Sequence, residues 1–352
     1  METSCGLITL LGSGETSLAG GRIFETIARR LSLPVRIAAL ETPAGFELNS
    51  AQVAGRVTEF LQTRLKNYSP HSEVIPARKR GTAFSPDDPR MLAPLSQANL
   101  VFMGPGSPTY AVRQLKDSLA WDVVRARQRS GAALVFASAA TIAVGRWCLP
   151  VYEIYKVGQD VFSTPGLDLF SDFGLKLSFI PHWNNADGGA ELDTSRCFIG
   201  AERFQQWKRL LPAGETVIGL DEHTGLMFDF SSQKCFVRGR GDVVVLMSNA
   251  IETYHSGSHF SMFRLGELRF PEVARSGIST AAWKLAECPS PGEKETPPSK
   301  VLELLDARSK ARKLKDWNAS DRMRQQITEL GWDVQDSATE QSYLTKSVIK
   351  RH

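Results

Sequence analysis

The chain has 352 residues, 42% of them hydrophobic, and a formal net charge of only +4. That size suits one large unit plus one small one, and both charge signs are interspersed, so composition gives no argument for nucleic-acid or membrane-surface binding. No apolar run is long enough to span a bilayer, and residues 12–15 interrupt the first apolar run before it could form a signal core, so a cytoplasmic protein with no membrane partner is expected.

Residues 6–11 (Gly-Leu-Ile-Thr-Leu-Leu) read as a buried strand, followed by Gly12-Ser-Gly-Glu15 and a helix over about 21–31. Gly12, Gly14 and Gly20 do not make G-x-G-x-x-G and no Gly-Lys-Ser follows, so the turn reads as a sharp backbone reversal rather than a phosphate cradle. A second strand at 35–40 ends in the turn 41–45. Val53, Val57, Phe60, Leu61 and Leu65 give helical spacing over 50–66. A short strand at 72–75 precedes a polar, proline-containing loop at 76–89, beside which His71 is expected to be exposed. The strand 99–103 runs into Gly104-Pro-Gly-Ser-Pro-Thr-Tyr110. One helix carrying Tyr110, Val112, Leu115, Leu119, Val123 and Val124 then leads to an apolar strand from Ala133. Regular alternation of strands and helices implies a mostly parallel sheet covered on both faces, with function at the carboxyl ends of its strands.

Residues 151–155 and the Gly/Pro-containing span to 174 are ambiguous. A strand at 175–180 ends in Pro181-His-Trp-Asn-Asn185, and Phe204, Trp207, Leu210 and Leu211 mark a helix. The strand 216–220 leads into Asp221-Glu-His-Thr-Gly225. Short runs at 226–230, 235–238 and 242–246 read as an antiparallel extension. Composition shifts at 271–298, where 289–298 reads as a solvated linker. Beyond it, Val301, Leu304, Leu305, Ala311, Leu314, Trp317, Met323, Ile327 and Leu330 predict two short amphipathic helices, broken at 318–321 and capped at Gly331. The expected division is an α/β unit at 1–268, a linker at 269–299 and a helical hairpin at 300–352.

The chemistry centres on residues 133–145 (Ala-Leu-Val-Phe-Ala-Ser-Ala-Ala-Thr-Ile-Ala-Val-Gly). A strand that stops at Ser138 among alanines and restarts as a helix has the pattern of a nucleophile elbow, whose tight turn exposes a hydroxyl at the edge of a sheet. The same pattern is produced by a buried strand-turn-helix with a capping serine, and that alternative stays open. A serine hydroxyl needs a base, and the base needs an orienting acid. His182 and Glu222 each follow a predicted strand end, which brings nucleophile, base and acid to the carboxyl edge of one sheet. Glu153 and Asp221 are rival acids, and His223 is a rival base. The Ala139 and Gly106 amides are the candidate oxyanion donors, and Ser107, Trp183 and Asn184 the candidate substrate contacts. His255 and His259 stand four residues apart, but their Ser-Gly-Ser surroundings argue against a helix, and no metal or cofactor is expected. Five scattered cysteines without a C-x-x-C pair fit a reduced compartment.

In order along the chain, Leu11-Gly-Ser-Gly-Glu15, Met103-Gly-Pro-Gly-Ser-Pro108, Ala137-Ser-Ala-Ala140, Ile180-Pro-His-Trp183 and Ile218-Gly-Leu-Asp-Glu222 resemble the dipeptidase E and cyanophycinase family of serine peptidases over roughly residues 5–250. The resemblance implies a class I glutamine-amidotransferase-like, flavodoxin-like three-layer fold. It also implies a Ser-His-acid hydrolase of small peptides or isopeptides, with Ser138 and His182 in the family's serine and histidine positions. The acid varies within the family, so Glu222 and Glu153 both stay open, and the Gly-Leu-Asp-Glu setting favours Glu222. Phe136 and Ala140 stand where the family's elbow has glycines, and alanine at a position needing positive φ would be strained. The stretch after His182 is Asn-Asn-Ala-Asp-Gly-Gly in place of an arginine-containing one, so a preference for acidic dipeptides does not carry over.

Residues 307–336 are similar to the C-terminal end of bacterial cysteinyl-tRNA synthetases, while the synthetase catalytic motifs are absent. That similarity implies RNA contact through Arg308, Arg312, Lys313, Lys315, Arg322 and Arg324. The alternatives are a helical hairpin that packs on the hydrolase unit, or one that meets another protein chain, and a homodimer stays open. Two functional classes therefore stand side by side: a serine hydrolase of a small peptide or amide, and a catalytically silent binding protein with an RNA- or protein-binding tail. A glutamine amidotransferase is disfavoured because that chemistry needs a cysteine where Ser138 stands.

Overall fold

The computed structural model describes residues 5–271, 277–287, 299–314, 316–336 and 342–346. It falls into two units, Met1–Cys288 and Pro289–His352.

In the first unit the elements run β1 (Ile8–Leu11), α1 (Leu18–Ala28), β2 (Arg36–Leu40), α2 (Ser50–Arg64), β3 (His71–Ile75), α3 (Ala93–Gln97), β4 (Leu100–Met103), α4 (Pro108–Leu115), α5 (Leu119–Arg129), β5 (Ala133–Ala137), α6 (Ala139–Ala143), β6 (Trp147–Cys148) and α7 (Val151–Tyr155). Then come β7 (Thr164–Pro165), β8 (Leu177–Ile180), α8 (Gly200–Arg209), β9 (Thr216–Leu220), β10 (Thr224–Asp229), β11 (Lys234–Gly239), β12 (Asp242–Leu246), β13 (Ile251–His255), β14 (His259–Ser261) and α9 (Thr280–Ala286).

The main sheet has the order β14-β11-β10-β1-β5-β4-β2-β3. Its five strands from β1 to β3 are parallel, as the alternating pattern predicts, while β10, β11 and β14 add on antiparallel. Helices cover both faces. Leu134 and Phe136 of β5 point into a core shared with α4 and α5, and Ala133, Val135 and Ala137 into a second core shared with α1 and α2. Burial on both faces is why these strands read as continuous apolar runs rather than alternating ones.

A second, four-stranded sheet, β13-β12-β9-β8, carries β8 and β9 in parallel. The single sheet edge expected to carry nucleophile, base and acid is therefore two edges. Ser138 follows β5 of the main sheet, whereas His182 and Glu222 follow β8 and β9 of the other. The antiparallel extension is likewise divided, since β10 and β11 lengthen the main sheet and β12 pairs with β9. Phe170 joins the two layers, with its ring 5.2 Å from Phe179 of β8 and 4.6 Å from Phe228 of β10.

Two further expectations are corrected in this unit. The single helix after β4 is two, because Asp117 takes a left-handed φ of 58° and Ser118 restarts the chain by accepting from the Trp121 amide. The expected linker includes α9, capped by Ser279. Ala282 and Ala286 of α9 are buried, and Arg127 donates to the Ala286 carbonyl (2.9 Å). Of the rest of that linker, residues 272–276 and 288–298 lie outside the described residues.

In the second unit α10 (Ser299–Lys313) and α11 (Trp317–Glu329) form the expected helical pair. The break comes earlier than expected, with Asp316 capping the Ala319 amide, so Asn318 to Asp321 lie inside α11. Gly331 does take the left-handed conformation (φ 83°) just past the helix end. A hairpin of β15 (Trp332–Asp336) and β16 (Ser342–Lys346) follows, which helical spacing gave no hint of. Val301, Ile327, Trp332 and Val334 make this unit's small core.

One backbone junction ties the loops of the first unit together. At the end of β1 the Leu11 carbonyl accepts from the Ser138 amide (3.2 Å), and the Gly12 carbonyl accepts from the His182 amide (3.2 Å). The Gly12 amide donates to the Thr224 carbonyl (2.8 Å). A Cβ at residue 12 would lie 2.1 Å from the Asp221 carbonyl oxygen, so only glycine lets these chains meet. Gly12→Ala is expected to lower stability by about 2–4 kcal/mol, since backbone faces the added atom and cannot swing away. Urea unfolding measures this, and an unchanged midpoint would show that the junction is looser than described.

Candidate active site

Ser138 sits at the end of β5 with φ 52° and ψ −114°, a strained conformation for a non-glycine residue, costing about 1–3 kcal/mol. The surroundings hold it there. The Ser138 amide donates to the Leu11 carbonyl, and the buried Thr141 hydroxyl bonds both that carbonyl and that of Phe136 (2.9 Å each). Small neighbours make the turn possible, because Ala137, Ala139 and Ala140 are all buried. Ala140 is helical and Phe136 extended, so the strain falls on the serine itself and not, as expected, on the alanine two residues later. Phe136 packs on Trp121, with ring centroids 6.4 Å apart.

His182 also has a positive φ (49°), set by its amide bond to Gly12 immediately after Pro181. Its Nε2 lies 2.8 Å from the Ser138 Oγ and its Nδ1 lies 2.8 Å from the Glu222 Oε1. A carboxylate at residue 222 accepts from Nδ1–H, which leaves Nε2 free to accept from the serine hydroxyl. Ser138, His182 and Glu222 are each partly exposed, so the group is within reach of solvent. The three residues singled out from sequence are thus brought together.

Residues that sequence reasoning missed hold this group in place. Asn185, buried at 3% exposure, donates from Nδ2 to the same Glu222 Oε1 (3.1 Å) and to Asp187 (3.0 Å). Nothing in the run Asn184-Asn185 distinguishes the two amides by sequence. The ring of Phe198 stands 5.2 Å from His182 and 5.9 Å from Tyr155. Phe198 belongs to three consecutive left-handed residues, Arg196, Cys197 and Phe198 (φ 57°, 62° and 69°), fastened by amide bonds from Arg196 to the Trp183 carbonyl and from Cys197 to the His182 carbonyl. No glycine announces that turn.

The other candidates separate into distinct places. Gly106 (φ 143°) lies in the turn after β4, where a Cβ would meet the Pro43 carbonyl oxygen at 2.0 Å. β4 neighbours β5 in register, with Met103 opposite Phe136. Ala139 is the first residue of α6, so its amide has no acceptor within the helix. Ser107, expected to touch substrate, is buried and caps α4 by accepting from the Tyr110 amide (3.2 Å). Trp183, also expected at the substrate, is core: the Arg196 guanidinium lies 3.8 Å above its ring, Phe204 meets it edge-on at 5.1 Å, and Gly219 leaves room beneath it. Asn184 is exposed, and its Oδ1 accepts from the Glu222 amide (2.8 Å), so it positions Glu222 from the backbone side.

Of the rival acids, Glu153 accepts from the Thr109 hydroxyl (2.5 Å), which in turn lies 3.0 Å from Ser107 Oγ. Asp221 accepts from the Asp242 amide (2.9 Å), and burial raises its carboxyl above the usual range against that bond. Neither is joined to His182. The rival base His223 packs against the Gly14 turn, its amide donating to Ser13 Oγ (3.3 Å). Burial holds the thiols of Cys148 and Cys197 well above the ordinary cysteine value, so neither supplies a thiolate beside His182. His255 closes β13 and His259 opens β14, so the pair is not on a helix.

In the second unit Arg308 is buried, which removes it from the set of surface cations expected to meet RNA. Arg312 lies 5.8 Å from the Trp317 ring, Arg322 and Arg324 are exposed, and Lys315 lies outside the described residues, while of Lys313 only the helical backbone is described. Among the described residues no helix is long and apolar enough to cross a membrane.

Residues 297–343 match the family of the cysteinyl-tRNA ligase anticodon binding domain. No curated protein sequence matches the chain. Among solved structures, the chain is similar to the crystal structure of a peptidase from an acI-B1 Actinobacterium, with TM-score 0.59 and 20% identity, covering 74% of this chain and 98% of that one. A second is a protein from Listeria monocytogenes EGD-e assigned to peptidase E, with TM-score 0.41 and 12% identity, covering 72% of this chain and 99% of that one. At these identities the likeness is one of fold, and the fold shared with the actinobacterial peptidase is the mostly parallel sheet with helices on both faces.

Proposed function

We propose that the first unit is a serine-dependent hydrolase of amide bonds in small peptides or isopeptides, acting through an acyl-enzyme. The observation that carries this reading is the unbroken chain from Ser138 Oγ to His182 Nε2 and from His182 Nδ1 to Glu222 Oε1, each link 2.8 Å. In this reading Ser138 attacks the scissile carbonyl while His182 takes its proton at Nε2. Glu222 holds the imidazole in the right tautomer and stabilises the imidazolium that forms. The Ala139 and Gly106 amides are assigned to the developing oxyanion. His182 then gives its proton to the leaving amine, and water repeats the sequence on the acyl group.

For the second unit we propose RNA contact, on the strength of the family match at 297–343 and the exposed Arg322 and Arg324 of α11.

A fluorophosphonate probe is expected to label the wild-type chain and not Ser138→Ala. A folded wild-type protein that resists the probe would defeat the hydrolase reading. With Glu222→Gln the labelling rate is expected to fall on the order of 10⁴-fold, as for other triads with a neutralised acid. Asn185→Ala, which removes one bond to the charged acid, is expected to slow labelling about tenfold. Equal rates in Asn185→Ala and wild type would show that Asn184 suffices to hold Glu222.

For the tail, full-length protein is expected to bind tRNA in a salt-dependent way. In the double variant Arg322→Glu, Arg324→Glu the log–log salt slope should flatten by about one to two units. Filter binding across a salt series reads this directly, and an unchanged slope would assign any RNA contact to another surface.

A further inference from the structure

Away from Ser138, His182 and Glu222, the first unit has a concave surface. A cleft of about 410 Å³ opens between the first two turns of α1 and the turns that end β11 and β13. Leu18, Ala19, Arg22 and Ile23 form one wall, and Arg238 and Arg240 stand on the other. No acidic side chain lines it. Among the described residues the guanidiniums of Arg22 and Arg240 make no hydrogen bond or ion pair, and both residues are exposed. Arg238 spends one N–H on the Val237 carbonyl (2.9 Å) and lies 5.3 Å from the Phe236 ring. Three cations lining one concavity without a counter-charge repel one another, and a bound anion relieves that repulsion.

The same cleft offers more than charge. Ser17 caps only the Gly20 amide, so the Leu18 and Ala19 amides of an eleven-residue helix stay without intrahelical acceptors at the cleft's edge. Leu18 is 65% exposed there and sets an apolar side chain beside the cationic wall. The volume falls in the range of pockets that take small ligands.

We propose that this cleft binds the phosphate of a nucleotide unit, with the arginines and the α1 amides on the phosphate and Leu18 against the sugar or base. The site is separate from the triad and does not rest on the hydrolase reading. It adjoins it, however. The Arg240 amide donates to the His223 carbonyl (3.1 Å), one residue from Glu222. The nucleotide's source is either a free mononucleotide or a residue of an RNA strand, and both present the same group.

Titration of the full-length protein with inorganic phosphate, AMP and a short 5′-phosphorylated RNA tests the proposal. AMP is expected to bind more tightly than phosphate, and Leu18→Ala to remove that difference while leaving phosphate binding unchanged. The double variant Arg22→Ala, Arg240→Ala is expected to weaken AMP binding at least about tenfold. Both positions are exposed; Arg238→Lys, which keeps the charge but loses the planar fork, serves as a second variant and is expected to weaken binding less. If RNA binds and AMP does not, and the double variant loses RNA, the site reads a strand. Saturable binding of none of the three probes would overturn the proposal. So would AMP or RNA binding that is equal in wild type and double variant; RNA binding of that kind belongs to another surface of the chain.

Discussion

The candidate site depends on the two peptide groups at the end of β1. The Leu11 carbonyl takes the amide of Ser138 and the hydroxyl of Thr141, the Gly12 carbonyl takes the amide of His182, and the Gly12 amide holds Thr224. Ser13 extends the junction through its hydroxyl to the amide of His223. Three loops from two sheets are thus referenced to one short piece of backbone. Fixing loops through main-chain bonds gives finer positioning than side-chain packing, because peptide groups have little freedom to adjust. Glycine is required at residue 12 because the Asp221 carbonyl crosses where a side chain would be.

That arrangement concentrates strain at the residues whose side chains converge. Ser138, His182 and the run Arg196 to Phe198 all hold left-handed backbone without a glycine among them. Each costs folding free energy that only the surrounding bonds can offset. Ser138 is fixed by Leu11 and Thr141, and the run Arg196 to Phe198 by the carbonyls of His182 and Trp183. Tight turns aim the serine and the imidazole at each other across the gap between the sheets, which an extended exit from β5 or β8 would not do.

A layer of amides then steadies the acid. Asn184 accepts from the backbone of Glu222 while Asn185 donates to its carboxylate, so adjacent residues grip the same glutamate from two sides. Trp183, between His182 and this pair, anchors the loop in the core under Arg196. One short segment therefore supplies His182, the loop's anchor and the two groups that orient Glu222. The Gly239–Gly241 turn leans on the opposite side of the same glutamate loop, through His223 and Asp221, which is where the basic cleft begins.

The sequence alone determined the parallel α/β layering, because strands buried on both faces must be continuous apolar runs and helices on both faces must intervene. It also singled out Ser138, His182 and Glu222, since a small-residue turn at a strand end and polar residues just past two others are local patterns. Tertiary structure decided what local pattern does not encode. That the three come from two sheets depends on how β8 and β9 pair with β12, a long-range contact. That Trp183 and Ser107 serve the core and a helix cap, while Asn185 and Phe198 flank His182 and Glu222, depends on which side of a turn each side chain faces. At Phe198 left-handed backbone sets that direction, and no glycine among residues 196–198 marks it in the sequence.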